Sequence, residues 1–567
     1  MQNLFTEVLI FPPKAYANRP SWKDVLYSIH ESFNEKKEDI YLQAEHLIEH
    51  LQNANSFGFS KKEDELFSEK ALHQITENIL QQADTDWGGF GKAPKFPQTF
   101  SIQFLLRDYY FTKNKNALDQ ALLSLDKMIL GGIYDQIGGG FARYSTDRKW
   151  LAPHFEKMLY DNALLIAVLS DAYAITKRGL YKKAIEETVQ FLEREMRDVY
   201  GGFYSALDAD SEGIEGKFYT WHKDEIVKIL GNDAAIFCAT YDVSEQGNWE
   251  HSNILWLPND MNEIAKQFSV SLEVLENILE LCREKLLNER KKRVRPNTDD
   301  KVLLSWNAML ITALCKGFSV LGNSNYIALA EECYSFLGNN MFDKERNVWL
   351  HTWKNNKGKI EAFLDDYACL IEACIHLQEV TGNLNYFHNA KTIAEFTIEN
   401  FSDETATFFY FTNKKQNDII VRKKEIYDGA TPSGNSLMAN NLLYLSVVFD
   451  KADWRERAIA MLQSLGNTII RYPTSFGVWC NALQKFVRGI NEIVVVGNDA
   501  KALSHQVLST FIPNKILMLS EKENNEYPLL ANKNVPLNKT FIYLCKDYAC
   551  RQPFENIDEL MNQVSYE

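Results

Sequence analysis

Five stretches of the chain carry residues that could move protons or hold a polar ligand. In the first, His154 and Glu156 precede a helix, while Asp161 and Asn162 lie in its first turns. A histidine exchanges protons near neutral pH, and a carboxylate beside it can orient it. Asp161 and Asn162 equally suit capping or packing at a helix start, whereas His154, in a loop, points more to function. The second stretch, Asp208-Ala209-Asp210-Ser211-Glu212-Gly213, runs on to Tyr219. Alternating acids can hold Ca²⁺, but the full loop and terminal Glu of an EF-hand are missing, so a solvated hairpin turn or a ligand-contacting loop is expected and no metal is assigned. The third runs from Asp299-Asp300-Lys301 into Trp306-Asn307, the fourth is Leu364-Asp365-Asp366-Tyr367, and the fifth is Tyr427-Asp428 through Ser433-Gly434-Asn435-Ser436. Ser433 lacks the strand–turn–helix elbow of a nucleophilic serine and reads as a helix cap.

Carboxylates converging on one pocket suit glycosidic-bond chemistry, which needs one protonated acid and one ionised partner about 5–9.5 Å apart. The candidate catalytic groups are therefore His154, Asp161, Asp300, Asp365, Asp366 and Asp428. Trp150, Tyr160, Tyr219, Trp306 and Tyr367 are expected to stack on sugar faces. Glu156, Asn162, Asp208, Asp210, Asn307, Ser433 and Asn435 are expected as polar contacts.

Such convergence needs a repeated scaffold, and the sequence holds one. Helical patterns begin near Asp161, Trp306, Asp366 and Gly434, and a second helix opens 20 residues later at Tyr181, Tyr326, Tyr386 and Trp454. Apolar residues such as Leu164, Leu165, Val168 and Leu169 recur at helical spacing. The offsets between units are 145, 60 and 68 in both series, so the long first interval is expected to hide an extra unit between residues 198 and 300. Short turns join helices at one end of each unit, and long loops carrying Gly88-Gly89-Phe90, Gly138-Gly139-Gly140-Phe141, Gly201-Gly202-Phe203 and Phe476-Gly477-Val478-Trp479 join them at the other. Long loops are uncommon unless functional. About six pairs between residues 68 and 485 can close as an (α/α)6 barrel with the long loops at its mouth, an open solenoid being the alternative.

The formal charge of −15 argues against a nucleic-acid footprint. No run approaches the roughly 18 apolar residues that span a bilayer, and the start has no basic segment before its apolar stretch, so neither membrane nor secretion is expected and a cytoplasmic location is the default. Nine cysteines are scattered, and the close pair Cys545 and Cys550 reads as reduced thiols. Aromatics at 13% suit either a large core or a sugar-stacking cleft. From Glu492 onward, apolar strands at Ile493–Val496, Ile516–Leu519 and Phe541–Leu544 alternate with helices, a small α/β appendage. Residues 1–50 read as one strand, a Pro-rich turn and one amphipathic helix.

The motifs Phe90-Gly91-x-x-Pro94-Lys95-Phe96-Pro97, His154-Phe155-Glu156-Lys157-Met158-Leu159-Tyr160-Asp161-Asn162, Asp208-Ala209-Asp210-Ser211-Glu212-Gly213 and Asp428-Gly429-Ala430-x-Pro432-Ser433-Gly434-Asn435-Ser436 resemble those of the YyaL-type family, which includes spermatogenesis-associated thioredoxin-like proteins. The resemblance covers nearly the whole chain. It implies a thioredoxin-like domain followed by a six-hairpin barrel related to N-acylglucosamine 2-epimerases and six-hairpin glycosidases. Residues 10–50 match only the tail of the thioredoxin-like domain, without its Cys-containing segment, so thiol–disulfide activity is not carried over. Those epimerases use histidines on inner helices, and the helices near Trp306 and Gly434 carry none at the matching places. Carboxylate chemistry fits better, with Asp161 and Asp365 or Asp366 as the pair.

The expectation is thus a mainly α protein: a remnant of a thioredoxin-like domain at 1–50, an (α/α)6 toroid of the six-hairpin glycosidase-like kind at 51–488, and an α/β domain at 489–567. Its expected function is a carbohydrate-binding enzyme, hydrolytic or isomerising, acting without a cofactor. The alternative is a non-catalytic barrel that binds a sugar or a protein partner.

Overall fold

The computed structural model describes residues 14–15, 20–54, 66–405, 407–416 and 419–564. The chain divides into two units, Met1–Gly58 with Gln416–Lys423, and Phe59–Lys415 with Lys424–Glu567. In the first unit lie α1 (Trp22–Glu35) and α2 (Lys37–Ala54). Ser21 and Asp24 start α1 by a reciprocal capping box: the Asp24 N–H donates to Ser21 Oγ, and the Ser21 N–H to Asp24 Oδ2. The one helix expected here is thus two, broken at Lys36, and the expected strand lies outside the described residues.

The second unit opens with α3 (Glu69–Leu80), α4 (Thr99–Thr112), α5 (Lys115–Leu130), α6 (Leu159–Thr176) and α7 (Gly179–Glu195). Then come α8 (Lys223–Leu230), α9 (Ala234–Thr240), α10 (Met261–Gln267) and α11 (Leu272–Arg290). The series continues with α12 (Leu304–Leu321), α13 (Ser324–Asn340), α14 (Leu364–Thr381), α15 (Asn385–Phe401), α16 (Gly434–Val448), α17 (Ala452–Leu465), α18 (Asn467–Arg471) and α19 (Gly477–Arg488).

Among the described residues, six of these helices close into a ring. α4 packs on α6, α6 on α12, α12 on α14, α14 on α16, α16 on α19, and α19 returns to α4. Each has an outer partner: α5, α7, α13, α15, α17 and, for α19, the N-terminal α3. The chain therefore forms an (α/α)6 toroid whose last inner helix is backed by its first outer one. The inner helix α12 is apolar nearly all round, as a helix enclosed by others must be, burying Leu304, Ala308, Met309, Leu310, Ile311, Ala313 and Leu314 on successive faces. Outer helices are one-sided, α3 burying Ala71, Leu72, Ile75 and Ile79. At the short-turn end four of the inner helices, α4, α6, α12 and α14, stop on left-handed residues, Lys113, Lys177, Gly322 and Gly382.

The interval between residues 198 and 300 does not hold a further ring pair. There α6 and α12 pack directly on each other, leaving no room between them. Instead α8–α11 fold around their own core of Trp221, Ile226, Phe237, Leu275, Leu279 and Leu286. This lobe is tied to the long-loop end of the toroid by a three-stranded sheet of Lys157–Met158, Ala206–Leu207 and Thr298–Asp299.

The C-terminal sheet is ordered Lys515–Ser520, Asn491–Gly497, Thr540–Lys546, Ala549–Cys550, with the first two strands parallel. α20 (Ala500–Leu508) and α21 (Ile557–Val564) complete its core. This domain sits on the short-turn end: Lys177 Nζ donates to the Ser509 carbonyl at 3.1 Å, the Leu517 N–H to Tyr444 Oη at 3.2 Å, and Tyr548 Oη to the Val447 carbonyl at 2.9 Å. Cys545 and Cys550 face each other across its edge strands and are disulfide-bonded, which corrects the expectation of two reduced thiols. Among the described residues one helix, α12, is long and apolar enough to cross a membrane, and 72% of it is buried as a member of the ring.

Candidate active site at the barrel mouth

The long loops prove to be built on one repeated corner. Asp84, Asp135, Asp198, Asp343 and Asp403 each follow an outer helix and accept a backbone N–H of the next turn, from Trp87 (3.0 Å), Gly138 (3.0 Å), Tyr200 (2.7 Å), Arg346 (3.1 Å) and Thr407 (3.0 Å). The aromatic that ends three of these turns is then gripped by an asparagine of the following inner helix. The N–H groups of Phe141, Phe203 and Phe409 donate to Oδ1 of Asn162 (2.7 Å), Asn307 (2.8 Å) and Asn435 (2.9 Å). Each amide Nδ2 returns a bond to the same aromatic's carbonyl, at 3.1, 3.0 and 2.9 Å. Asn162, Asn307 and Asn435 are fully buried clamps and not ligand contacts, because both ends of each amide are taken by backbone. Tyr367 does the same work with its hydroxyl, which accepts the Trp349 N–H at 3.2 Å. Trp150 is likewise core: it is fully buried and its Nε1 donates to the Trp87 carbonyl at 2.9 Å, so it offers no face to a sugar.

What the clamps hold open is a mouth pocket of about 410 Å³, lined among others by Phe96, Phe100, Arg143, Asp161, Asp428 and Thr474. Two of the expected acids therefore share one pocket. Asp161 lies in the first turn of α6, buried, and its Oδ2 has no hydrogen-bond partner among the described residues. Burial pushes its carboxyl well above the usual range, against the pull of Arg143. Asp428 is also lifted by burial, to about 6, though the bonds it accepts hold it down. Its Oδ1 takes Ser436 Oγ at 2.6 Å and the Ser433 N–H at 3.1 Å, and its Oδ2 takes the Val478 N–H at 2.8 Å. Ser433 caps α16 through the Ser436 N–H.

Arg143 supplies the positive charge. Its Nε donates to Tyr160 Oη and its Nη1 to Glu156 Oε2, both at 3.2 Å. The Tyr160 ring meets Trp306 edge-on at 4.8 Å. On the other side an aromatic strip leads outward: Phe96 lies 4.8 Å from Tyr144, and Tyr144 stacks on His154 at 5.2 Å. His154 Nδ1 is 2.7 Å from Glu215 Oε1, and its Nε2 is 3.8 Å from Glu156. It is a rim group joined to the second loop, not a partner of Asp161.

Asp365 and Asp366 open α14. Asp365 accepts the Gly434 N–H at 2.8 Å, and burial together with the neighbouring Asp366 charge lifts it to about 7. Asp366 is saturated by the Ser305 N–H (3.0 Å), the Phe363 N–H (2.9 Å) and His351 Nδ1 (2.8 Å), so it caps and ties and cannot act as a free acid. Burial opposes charge on His351, yet the Asp366 carboxylate prevails and raises its pKa.

Other expected residues lie elsewhere. Asp300 is paired with Lys354 on the surface. Asp208 and Asp210 are exposed, and Asp210 belongs to a two-stranded hairpin with Ile214–Glu215. Tyr219 stacks on Phe155 at 5.8 Å beside Lys157 and Arg290, packing the lobe onto the toroid. Sequence reasoning overlooked Arg143. Its signal was its place two residues past the clamped Phe141, where the loop turns back toward α6.

No protein-family profile matches the chain. Across 592 aligned positions it is 29% identical to uncharacterized protein B0495.5 of Caenorhabditis elegans, covering 97% of this chain and 80% of that one. Across 599 positions it is 27% identical to spermatogenesis-associated protein 20 of Homo sapiens, covering 97% and 76%. The chain is a homologue of spermatogenesis-associated protein 20 over nearly its full length. Similar solved structures include cellobiose 2-epimerase from Bacillus thermoamylovorans, with a TM-score of 0.47 at 11% identity over 74% of this chain and 99% of that one. A family 76 glycoside hydrolase (mannosidase) from Bacteroides thetaiotaomicron gives 0.42 at 11%, over 74% and 96%. The closed ring of helices in this chain, not those scores, is the ground for its fold.

Proposed function

We propose that the mouth binds a carbohydrate and performs acid–base chemistry on it, with Asp161 as the protonated acid and Asp428 as its ionised counterpart. The observation that carries this is the buried, half-unpartnered carboxyl of Asp161 in the same pocket as Asp428. Buried polar atoms are normally satisfied, and an exception in a pocket marks a group kept for a ligand. Burial lifts the Asp161 carboxyl well above the usual range and so favours its protonated form, while Asp428, lifted only to about 6, is mostly ionised near neutral pH. One acid and one base are what cleavage of a glycosidic bond uses. Arg143 supports the reading as a donor to sugar hydroxyls, and Phe96 and Phe100 as stacking faces.

One observation favours a binding barrel without turnover: both oxygens of Asp428 already accept protein hydrogen bonds. In that reading the same pocket holds a sugar, and no bond is broken. A thermal-shift panel of mono- and disaccharides, followed by product analysis with the sugar that shifts the melt, separates the two. We expect one sugar class to raise the melting temperature and to be converted, with Asp161→Asn lowering turnover about 10²–10⁴-fold. Binding with no conversion by the wild type gives the binding barrel, and no shift with any sugar removes the proposal.

A further inference from the structure

Below the mouth, the six inner helices enclose a second cavity of about 190 Å³ that shares Phe100 and Leu164 with the first. Residues of the C-terminal domain, from Leu508 to Lys515, close its far end. Its wall is charged. Arg107, Lys316, Lys485 and Lys515 face it, as do Asp171, Glu372 and Glu379.

The charges are not matched pair for pair. Asp171 is engaged by Lys316 at 3.3 Å and by Gln103 at 3.0 Å. Glu379 is engaged by His376 at 2.8 Å and by Tyr444 Oη at 3.0 Å. Among the described residues, no carboxylate comes within 4.0 Å of Arg107, Lys485 or Lys515. Lys485 donates to the Asn440 amide oxygen at 3.2 Å. Arg107 Nε and Nη1 are buried with no hydrogen-bond partner, and so are Asn481 Oδ1 and Thr312 Oγ1 on the same wall. Asn481 and Thr312 are themselves more than nine-tenths buried. An isolated guanidinium and ammonium out of water are costly unless an anion joins them. Burial, then the neighbouring Arg107 and Lys316 charges, drives the Lys485 amine down to about 7. Acids act on these cations only from a distance, Asp171 and then Glu372 on Arg107, Glu379 and then Asp171 on Lys515, and the wall carries four basic side chains against three carboxylates.

We propose that this axial cavity is an anion site, in which a small oxyanion, phosphate or carboxylate, sits on the Arg107 guanidinium between the Lys485 and Lys515 ammoniums. The planar fork of Arg107 suits two oxygens of such a group, and the lysines supply the remaining charge. Asn481 Oδ1 can accept from a protonated oxygen of the same ligand, and the Thr312 hydroxyl can donate to it. The inference stands apart from the reading of the mouth, since none of these groups belongs to the Asp161–Asp428 pocket.

The test is calorimetric titration of the full chain with inorganic phosphate, and separately with acetate, against sodium chloride at matched ionic strength. We expect saturable heat and a raised melting temperature with at least one oxyanion; phosphate alone or acetate alone identifies which source the site takes. In Arg107→Gln, affinity should fall at least 10-fold. In oxyanion-free buffer this variant should melt at or above the wild type, because an unmatched buried charge has gone. Lys485→Gln should weaken binding in the same direction and decides the matter if Arg107→Gln does not fold. Absence of saturable binding of both anions, or affinity unchanged in these variants, overturns the proposal.

Discussion

Asp161 and Asp366 occupy the same repeat position, the third residue of inner helices α6 and α14, yet their surroundings have opposite sense. Around Asp366 the protein supplies two backbone N–H groups and a histidine, so both buried oxygens are engaged. Around Asp161 it leaves Oδ2 unanswered beside an open pocket. One carboxyl holds the scaffold, and its repeat mate is held by it. A repeat makes such a contrast readable, because the scaffold's own needs are displayed in the copies that have no other duty.

Breaking the structural member should cost the most. Asp366→Ala strands the Ser305 and Phe363 N–H groups and His351, and should destabilise by about 3–5 kcal/mol in urea unfolding. Asn435→Ala unclips the Phe409 loop and should cost about 1–3 kcal/mol by the same measurement, with a matching loss in Asn162→Ala. Asp365 sharpens the comparison through pH. Its folded pKa, raised to about 7, means that the native state binds a proton which the unfolded chain has released above about 4. Its contribution is therefore full below about pH 4 and is lost as pH rises toward 7, so Asp365→Asn should flatten the decline of stability across that window. Asp300→Asn removes a surface ion pair and should change stability by no more than about 0.5 kcal/mol.

Much of the scaffold is legible in the letters alone. Helix starts at Asp161, Trp306, Asp366 and Gly434 keep their spacing in the partners at Tyr181, Tyr326, Tyr386 and Trp454, which paired helices impose. The lobe of α8–α11 was misread as a further pair because spacing counts residues and cannot tell a ring unit from an insertion between Phe203 and α12. Ring closure of α19 onto α4, with α3 behind α19, joins residues almost 400 positions apart, which no local pattern records.

The candidate site was legible in part. Acids at inner-helix starts were found because the repeat points them to one end, and Asp161 and Asp428 do meet in one pocket. The asparagines beside them look the same in sequence whether they bind sugar or backbone, and only the partner atoms decide. Trp150 reads as a stacking ring for the same reason, since an aromatic in a loop gives no sign of burial. The axial charges escaped notice because Arg107, Asp171 and Lys485 stand along inner helices, several turns below the loops, where no motif marks them.

The contrast between the two aspartates comes to a point in one pair of curves: unfolding free energy of the wild type and of Asp161→Asn, measured by urea titration between pH 4 and pH 8. A carboxyl raised by burial favours folding while both states are protonated and gives up that advantage as pH climbs past the unfolded value of about 4. The wild type should therefore lose stability relative to Asp161→Asn steadily over this range, the variant being the more stable at pH 8. Parallel curves, or a wild type that gains on the variant as pH rises, would show Asp161 to be a structural cap of the helix start, as Asp366 is, and would contradict the account.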